Sequence, residues 1–422
     1  MKRKVMLSIG CLILFATVVF NAVSCSMLSL DISATDLMKG IKAEEVEGKT
    51  SDDKFLSAVS DFYFNLFKKT IDDEENSLVS PLSVFLALAM TANGADGNTL
   101  EQMEAVLGDG ISIDELNEYL YTYINSLKST EKSKLGVANS IWFRDDEGRF
   151  TAKPDFLQRN ANYYNAAAYK APFEDKATLD DINNWVKDKT DGMIDKILDS
   201  ISEDAVMYLI NAVVFDARWE TVYNKANIAS GKFTSISGEE QTAEFMFSEE
   251  NKYLEDGRAI GFIKPYADGH YSFVALLPDE DVPIDDYIAS LTGESFAATI
   301  KGATSTLVSA YLPKFSYDYS VKMNDALKEL GMPDAFYGST ADFSRLGESS
   351  RGNIFIGKVL HKTFISVDEL GTKAGAVTKV EIVDEAYVET KIVRLDRPFV
   401  YAIVDNATGL PVFLGTVMNI SG

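Results

Sequence analysis

The chain of 422 residues is 46% hydrophobic and 25% charged, enough apolar content for a large core, which excludes a disordered chain. Its 64 acidic against 40 basic residues give a formal net charge of -24, and with no basic patch to oppose that field, nucleic acid is not expected as a partner. Two cysteines, Cys11 and Cys25, and two histidines, His270 and His361, leave little material for thiol or imidazole chemistry.

The chain opens MKRKVMLSIGCLILFATVVFNAVSC, with Lys2, Arg3 and Lys4 ahead of an apolar run from Val5 to Phe20. The run is short for a spanning helix, and its basic-then-apolar order is that of a secretory signal, so export and removal of residues 1–24 are expected. Its end, Ala22-Val23-Ser24-Cys25, is similar to a bacterial lipobox. That likeness implies a lipid on the Cys25 thiol, a membrane attachment, and a place on the bacterial cell envelope or surface. Plain secretory cleavage, leaving Cys25 unmodified and the protein secreted, is the other reading. In either case Cys11 departs with the signal, and packing without an internal disulfide must hold the fold. Residues 25–50 are mixed and polar without sustained periodicity and read as a tether; residues 51–422 contain no Pro-rich or Gly/Ser-rich linker and read as one domain.

Apolar residues at helical spacing predict a helix in DKFLSAVSDFYFNLFKKTI from Asp53. SPLSVFLALAMTANGA follows, with Ser80 as N-cap and Pro81 in the first turn, and is apolar nearly all round, so it is expected to be central. TLEQMEAVLG, ISIDELNEYLYTYINSL and TLDDINNWVKDKTDGMI are further amphipathic helices. Strand-like runs then accumulate: KLGVANSIWF, VMYLINAVVF, YSFVALLP, STLVSAYLPKF, IFIGKVLHKTFISV, IVRL, FVYAIV and PVFLGTVM. Helices early and strands late, without regular alternation, predict an α+β fold with extensive mixed or antiparallel sheets.

Residues for catalysis are missing from this pattern. There is no G-x-S-x-G elbow near either histidine, no H-E-x-x-H, no cysteine pair and no P-loop, so neither an enzyme nor a metal or cofactor site is expected. The acidic runs IDDEE and LPDEDVP lie among turn residues and read as solvated surface.

Several longer stretches, in order, resemble the serpins, the serine protease inhibitors that trap their target. They are NSLVSPLSVFLALAMTANGADGNTLEQM, INAVVFDARWE, YLPKFSYDYSVKMNDALKELGM, ADFSRL, KVLHKTFISVDELGTKAGA and DRPFVYAIVDNATGLPVFLGTVMN, which run from Asn76 to Asn419 and so cover most of residues 51 to 420. The resemblance implies an exposed reactive loop near the C-terminus, about residues 369–391, that becomes a new central strand of the large sheet once a protease cuts it. It implies a loop hinge at Glu369, Gly371, Thr372, Ala374, Ala376 and Thr378, of which Thr372, Ala374, Ala376 and Thr378 alternate as small uncharged side chains along one face of a strand. Counting fourteen residues on from Gly371 puts the scissile bond at Glu385-Ala386, with Tyr387 and Val388 as alternatives. The same likeness implies a shutter at Asn76, Ser80, Ser83, Asn211 and His361, and a breach at Trp219, Lys314 and Glu369. Partners would be serine proteases of elastase-like, chymotrypsin-like or glutamyl-specific type, and the protein a monomer. Two departures keep open a serpin that binds a partner, or is simply cleaved, without inhibiting. Lys373 stands where inhibitory members carry Glu, and Gly375 and Val377 interrupt an alanine run.

Overall fold

Two N-terminal helices owe their limits to local chemistry. Helix α1 (Asp53–Thr70) starts where the Asp52 carboxylate accepts the Phe55 amide at 2.9 Å, and it buries Phe55, Val59, Phe62 and Leu66 on one face. Helix α2 (Pro81–Ala92) carries proline in its first turn, where no amide is needed, and every one of its residues is buried. Against them pack the helices Gly97–Gly108 and Ile113–Ser126, while the helix Lys176–Lys189 lies on the strand Ser133–Arg144 in a second core that joins Ile182, Trp185 and Val186 to Trp142 and Tyr208. In this computed structural model the described residues are 32–203, 205–372 and 390–420. The expectations for Cys25, Ala374, Ala376, Thr378, Glu385, Ala386, Tyr387 and Val388 lie outside them.

Among the described residues, the strands form two large sheets. We number those of the sheet that bears the hinge: β1 (Thr35–Asp36), β2 (Ser133–Arg144), β3 (Ala167–Ala171), β4 (Met207–Arg218), β5 (Phe315–Lys322), β6 (Lys358–Val367) and β7 (Gly371–Thr372). Their spatial order is β1-β3-β2-β4-β7-β6-β5. The second sheet is centred on the buried strands Tyr271–Pro278, Phe399–Asp405 and Pro411–Val417. Residues on all three, with α1 and α2, share the main core. The α+β fold expected from the sequence is the fold observed.

Two boundaries differ from the sequence reading. The run IFIGKVLHKTFISV becomes a strand only from Lys358, because the Ile356 amide is held by Ala335 O and Gly357 passes so close to Met207 O that a Cβ there would come within 2.9 Å of it. The stretch read as a tether is, from Ile32 onward, laid against the body. Thr35 and Asp36 pair with Lys170 and Tyr169 of β3, the Asp181 carboxylate accepts the Ser33 hydroxyl and the Ala34 amide, and Leu37, Met38 and Ile41 pack on the core. Three apolar residues spaced over five positions were too few to register as periodic.

Candidate functional site

Strands β4 and β6 run parallel and are directly paired from Tyr208 to Ala212 and Lys358 to Lys362. Further along they part. Among the described residues, no strand pairs with Val213–Phe215 on the side facing β6, or with Thr363–Ser366 on the side facing β4; each stretch is paired in the sheet only on its outer edge, with β2 and β5. At the far end β7 stands between them, antiparallel to both, with Thr372 opposite Ala217 on one side and Val367 on the other. The chain thus leaves β6, turns, and starts back down between the two strands.

The turn is held by its own sequence. Asp368 accepts the amides of Leu370 and Gly371 on its Oδ1, at 2.8 and 3.2 Å, and its amide donates to Gly371 O at 3.0 Å. Gly371 lies so close to β4 that a Cβ would sit 2.1 Å from Ala217 O, so no larger residue fits without moving backbone. Thr372 is 1% exposed, and its hydroxyl is 2.7 Å from that of Tyr266. Tyr266 is stacked on Trp219 at 4.6 Å. Three consecutive carbonyls of the turn are held from the end of β4: Trp219 donates its indole N–H to Asp368 O at 2.9 Å and its amide to Leu370 O at 3.0 Å, while the Tyr223 amide donates to Glu369 O at 2.9 Å. Outside, Lys314 Nζ lies 2.8 Å from Glu369 and 3.4 Å from Glu244. Burial opposes the Lys314 charge, but the two carboxylates outweigh it and its pKa rises, while the hydrogen bond from Lys314 lowers that of Glu369.

At the closed end a buried polar cluster bridges β4, β6 and α2. The Ser80 amide donates to His361 Nε2 at 3.0 Å, which leaves the proton on Nδ1 to be donated to Asn211 Oδ1 at 2.5 Å. Asn211 Nδ2 donates to Ser83 and to Asn139. Burial holds the His361 pKa down at about 3, so the ring is neutral. The Ser80 hydroxyl is buried with no hydrogen-bond partner, so this N-cap residue does not cap through its side chain. Asn76 is elsewhere engaged: it accepts the amides of Met418 and Asn419 and donates to Asn419 O, tying the chain end rather than joining the histidine cluster.

A histidine kept neutral in the fold and free to protonate when unfolded makes stability depend on pH. Between about pH 3 and 6.5 the unfolded chain binds the extra proton, so stability rises with pH through that window, is complete above it, and is lost on acidification. The urea midpoint at pH 5 is expected to show a loss of about 2 kcal/mol relative to pH 7 from this residue, and His361→Gln to flatten the profile by that amount. An identical slope in the variant contradicts the assignment.

Sequence reasoning passed over Asp368, Tyr223, Tyr266 and Asn139. Asp followed three residues later by Gly is a turn signature and could have drawn attention to Asp368. The other three carry no local mark. Among the described residues, no group of three or more His, Cys, Asp or Glu side chains is placed to hold a metal ion.

Comparison with known proteins agrees with this geometry. A sequence profile of the family described as Serpin (serine protease inhibitor) matches residues 57–420. The chain is 31% identical over 381 residues to a serpin-like protein of Thermococcus kodakarensis, covering 86% of this chain and 85% of that one. It overlays the native-state crystal structure of the thermophilic serpin tengpin with a TM-score of 0.89 and 58% identity, covering 92% of this chain and 99% of that one. Against tengpin in its latent state the TM-score is 0.80, at 89% and 100% coverage.

Proposed function

Since the chain belongs to the serpin family, we propose that it inhibits extracellular serine proteases by a one-use trap. The protease serine attacks the carbonyl of Glu385; the amide to Ala386 breaks, an ester to the protease forms, and the new amine leaves on Ala386. The segment following Thr372 then continues down between β4 and β6 before water cleaves the ester. The outcome is a race between insertion and hydrolysis. The observation that carries this reading is β7, already seated between two parallel strands that have no mutual pairing just beyond it. The closer overlay on native than on latent tengpin supports a body arranged as in the native state.

In this reading Trp219, Lys314 and Glu369 hold the hinge, and Ser80, Ser83, Asn211 and His361 keep the sheet closed below it until the loop is cut. The alternating small residues Ala374, Ala376 and Thr378 continue the face begun by buried Thr372. Glu385 suits a glutamyl-specific protease, and Ala386, Tyr387 and Val388 an elastase-like or chymotrypsin-like one. The protein acts as a monomer, exported and held by a lipid on Cys25 at a bacterial cell envelope. Lys373 and Gly375 favour a second reading, a serpin that is cleaved or binds at the surface without trapping, because glycine costs backbone entropy in a strand and slows insertion.

Incubation with elastase-like, chymotrypsin-like and glutamyl proteases is expected to yield a covalent complex that survives denaturation. Cleaved serpin alone across all three rejects inhibition in favour of the second reading.

A further inference from the structure

A charged pair lies sealed behind the hinge. Lys264 is 1% exposed and Glu250 6%, with Nζ 2.7 Å from Oε1, and the same oxygen accepts the Ser248 hydroxyl at 2.7 Å. The two residues come from neighbouring strands of the second sheet, Glu240–Glu255 and Ala259–Pro265, whose pairing ends at Tyr253 and Phe262. Taking two ions out of water costs more than their attraction returns unless the geometry is very good, so such a pair is a weak reason for a fold to be stable. Its significance lies in what the cation touches. Lys264 Nζ stands 4.4 Å from the ring centre of Tyr223 and 5.4 Å from that of Trp219, the two residues that hold the carbonyls of Asp368, Glu369 and Leu370.

We propose that Lys264, fixed by Glu250, is a positioning residue for loop insertion. It steadies the aromatic pair that keeps the 368–371 turn in the shape from which β7 descends. An ammonium over a ring face attracts it, and more strongly where water is excluded. The carboxylate sets where that ammonium sits, and the Ser248 hydroxyl sets the carboxylate. The turn has to keep its form while the loop follows it into the sheet, so a looser Trp219 and Tyr223 slow insertion and hand more of the acyl-enzyme to water.

This inference rests on the trapping mechanism proposed above, and its test separates the two. Lys264→Met alone leaves a buried unpaired carboxylate and can fail to fold, so the variant to use is Lys264→Met with Glu250→Leu, which fills the same space without charge. The double variant should be cut by the protease at the parental rate, with the ratio of trapped to cleaved serpin falling roughly two- to five-fold, the worth of one cation–π contact. Lys264→Arg, which keeps a cation over the rings, should retain the parental ratio. A double variant that partitions as the parent does overturns the inference. Conversion of the intact protein to a denaturant-resistant form on heating, with no protease present, supplies the separate readout. If the parent traps nothing but the double variant still converts more slowly, the inhibitory reading falls and the role of Lys264 stands; equal conversion rates count against Lys264 whatever the protease assay shows.

Discussion

Cutting the chain between Val383 and Val388 is expected to make the protein more stable. For most proteins a nick in a connecting segment is neutral or harmful. Here the freed segment can follow Thr372 between β4 and β6, giving strand partners to the edges of Val213–Phe215 and Thr363–Ser366. The backbone hydrogen bonds gained are set against the entropy of ordering the segment and the direct β4–β6 pairing that must open, so the surplus comes mainly from side chains. Val380 and Ile382 fall on the same face as Thr372, and burying them contributes about 1.5 to 3 kcal/mol each. A gain of roughly 5 kcal/mol at about 1.3 °C per kcal/mol for a domain of this size raises the melting temperature by about 6 °C. Scanning calorimetry of intact and nicked protein measures this directly. An unchanged transition means the segment has nowhere to go, and the trap loses its source of free energy.

Thr372→Arg should separate cleavage from trapping. Thr372 is buried against Tyr266, which is itself stacked on Trp219 and edge-on to Phe215 at 5.0 Å. A guanidinium in that ring cluster breaks the Thr372–Tyr266 hydrogen bond and takes a charge out of water, at a cost of several kcal/mol. The intact protein can relieve that cost by withdrawing the two-residue β7 from between β4 and β6, whereas insertion requires residue 372 in place, so the cost falls on the inserted state and on the path to it, while the bond at Glu385 lies thirteen residues away. Every 1.36 kcal/mol added to the insertion barrier slows that step tenfold, so the trapped fraction should fall at least about tenfold with the rate of cleavage unchanged. The nicked variant should also lose the rise in melting temperature. A variant that still traps at the parental stoichiometry would falsify insertion at the hinge.

What the sequence disclosed follows the range of the interactions involved. Helix α2 was legible because its start signal, Ser80-Pro81, and its unbroken apolar run are both local. Strand β6 was legible because its exposure alternates residue by residue, with Val359, His361, Thr363, Ile365 and Val367 inward. The long strand Glu240–Glu255 went unread: its sequence, EQTAEFMFSEENKYLE, buries residues irregularly as it passes from one set of neighbours to another. The helix Pro154–Tyr164 was missed as well, since only Phe156, Leu157, Asn160 and Ala161 are buried and the rest is polar. At the site the division is sharper. The pairing of His361 with Asn211 spans 150 positions, and that of Tyr266 with Thr372 spans 106. Such contacts are set by strand register, which no local pattern reveals. Resemblance to a known family pointed to the first and not to the second.

A sheet that accepts one more strand in its middle also has to refuse strands at its rims. The short β1 shields the outer flank of β3 by pairing at Thr35 and Asp36 and continuing with the Leu37 amide on Ala168 O. On the opposite flank β5 shows solvent the charges of Asp318 and Lys322. Both are ways of discouraging chain-to-chain pairing at an open border. Among the described strands the invitation left is then central, next to the hinge, where a tethered segment outcompetes a neighbouring molecule by proximity.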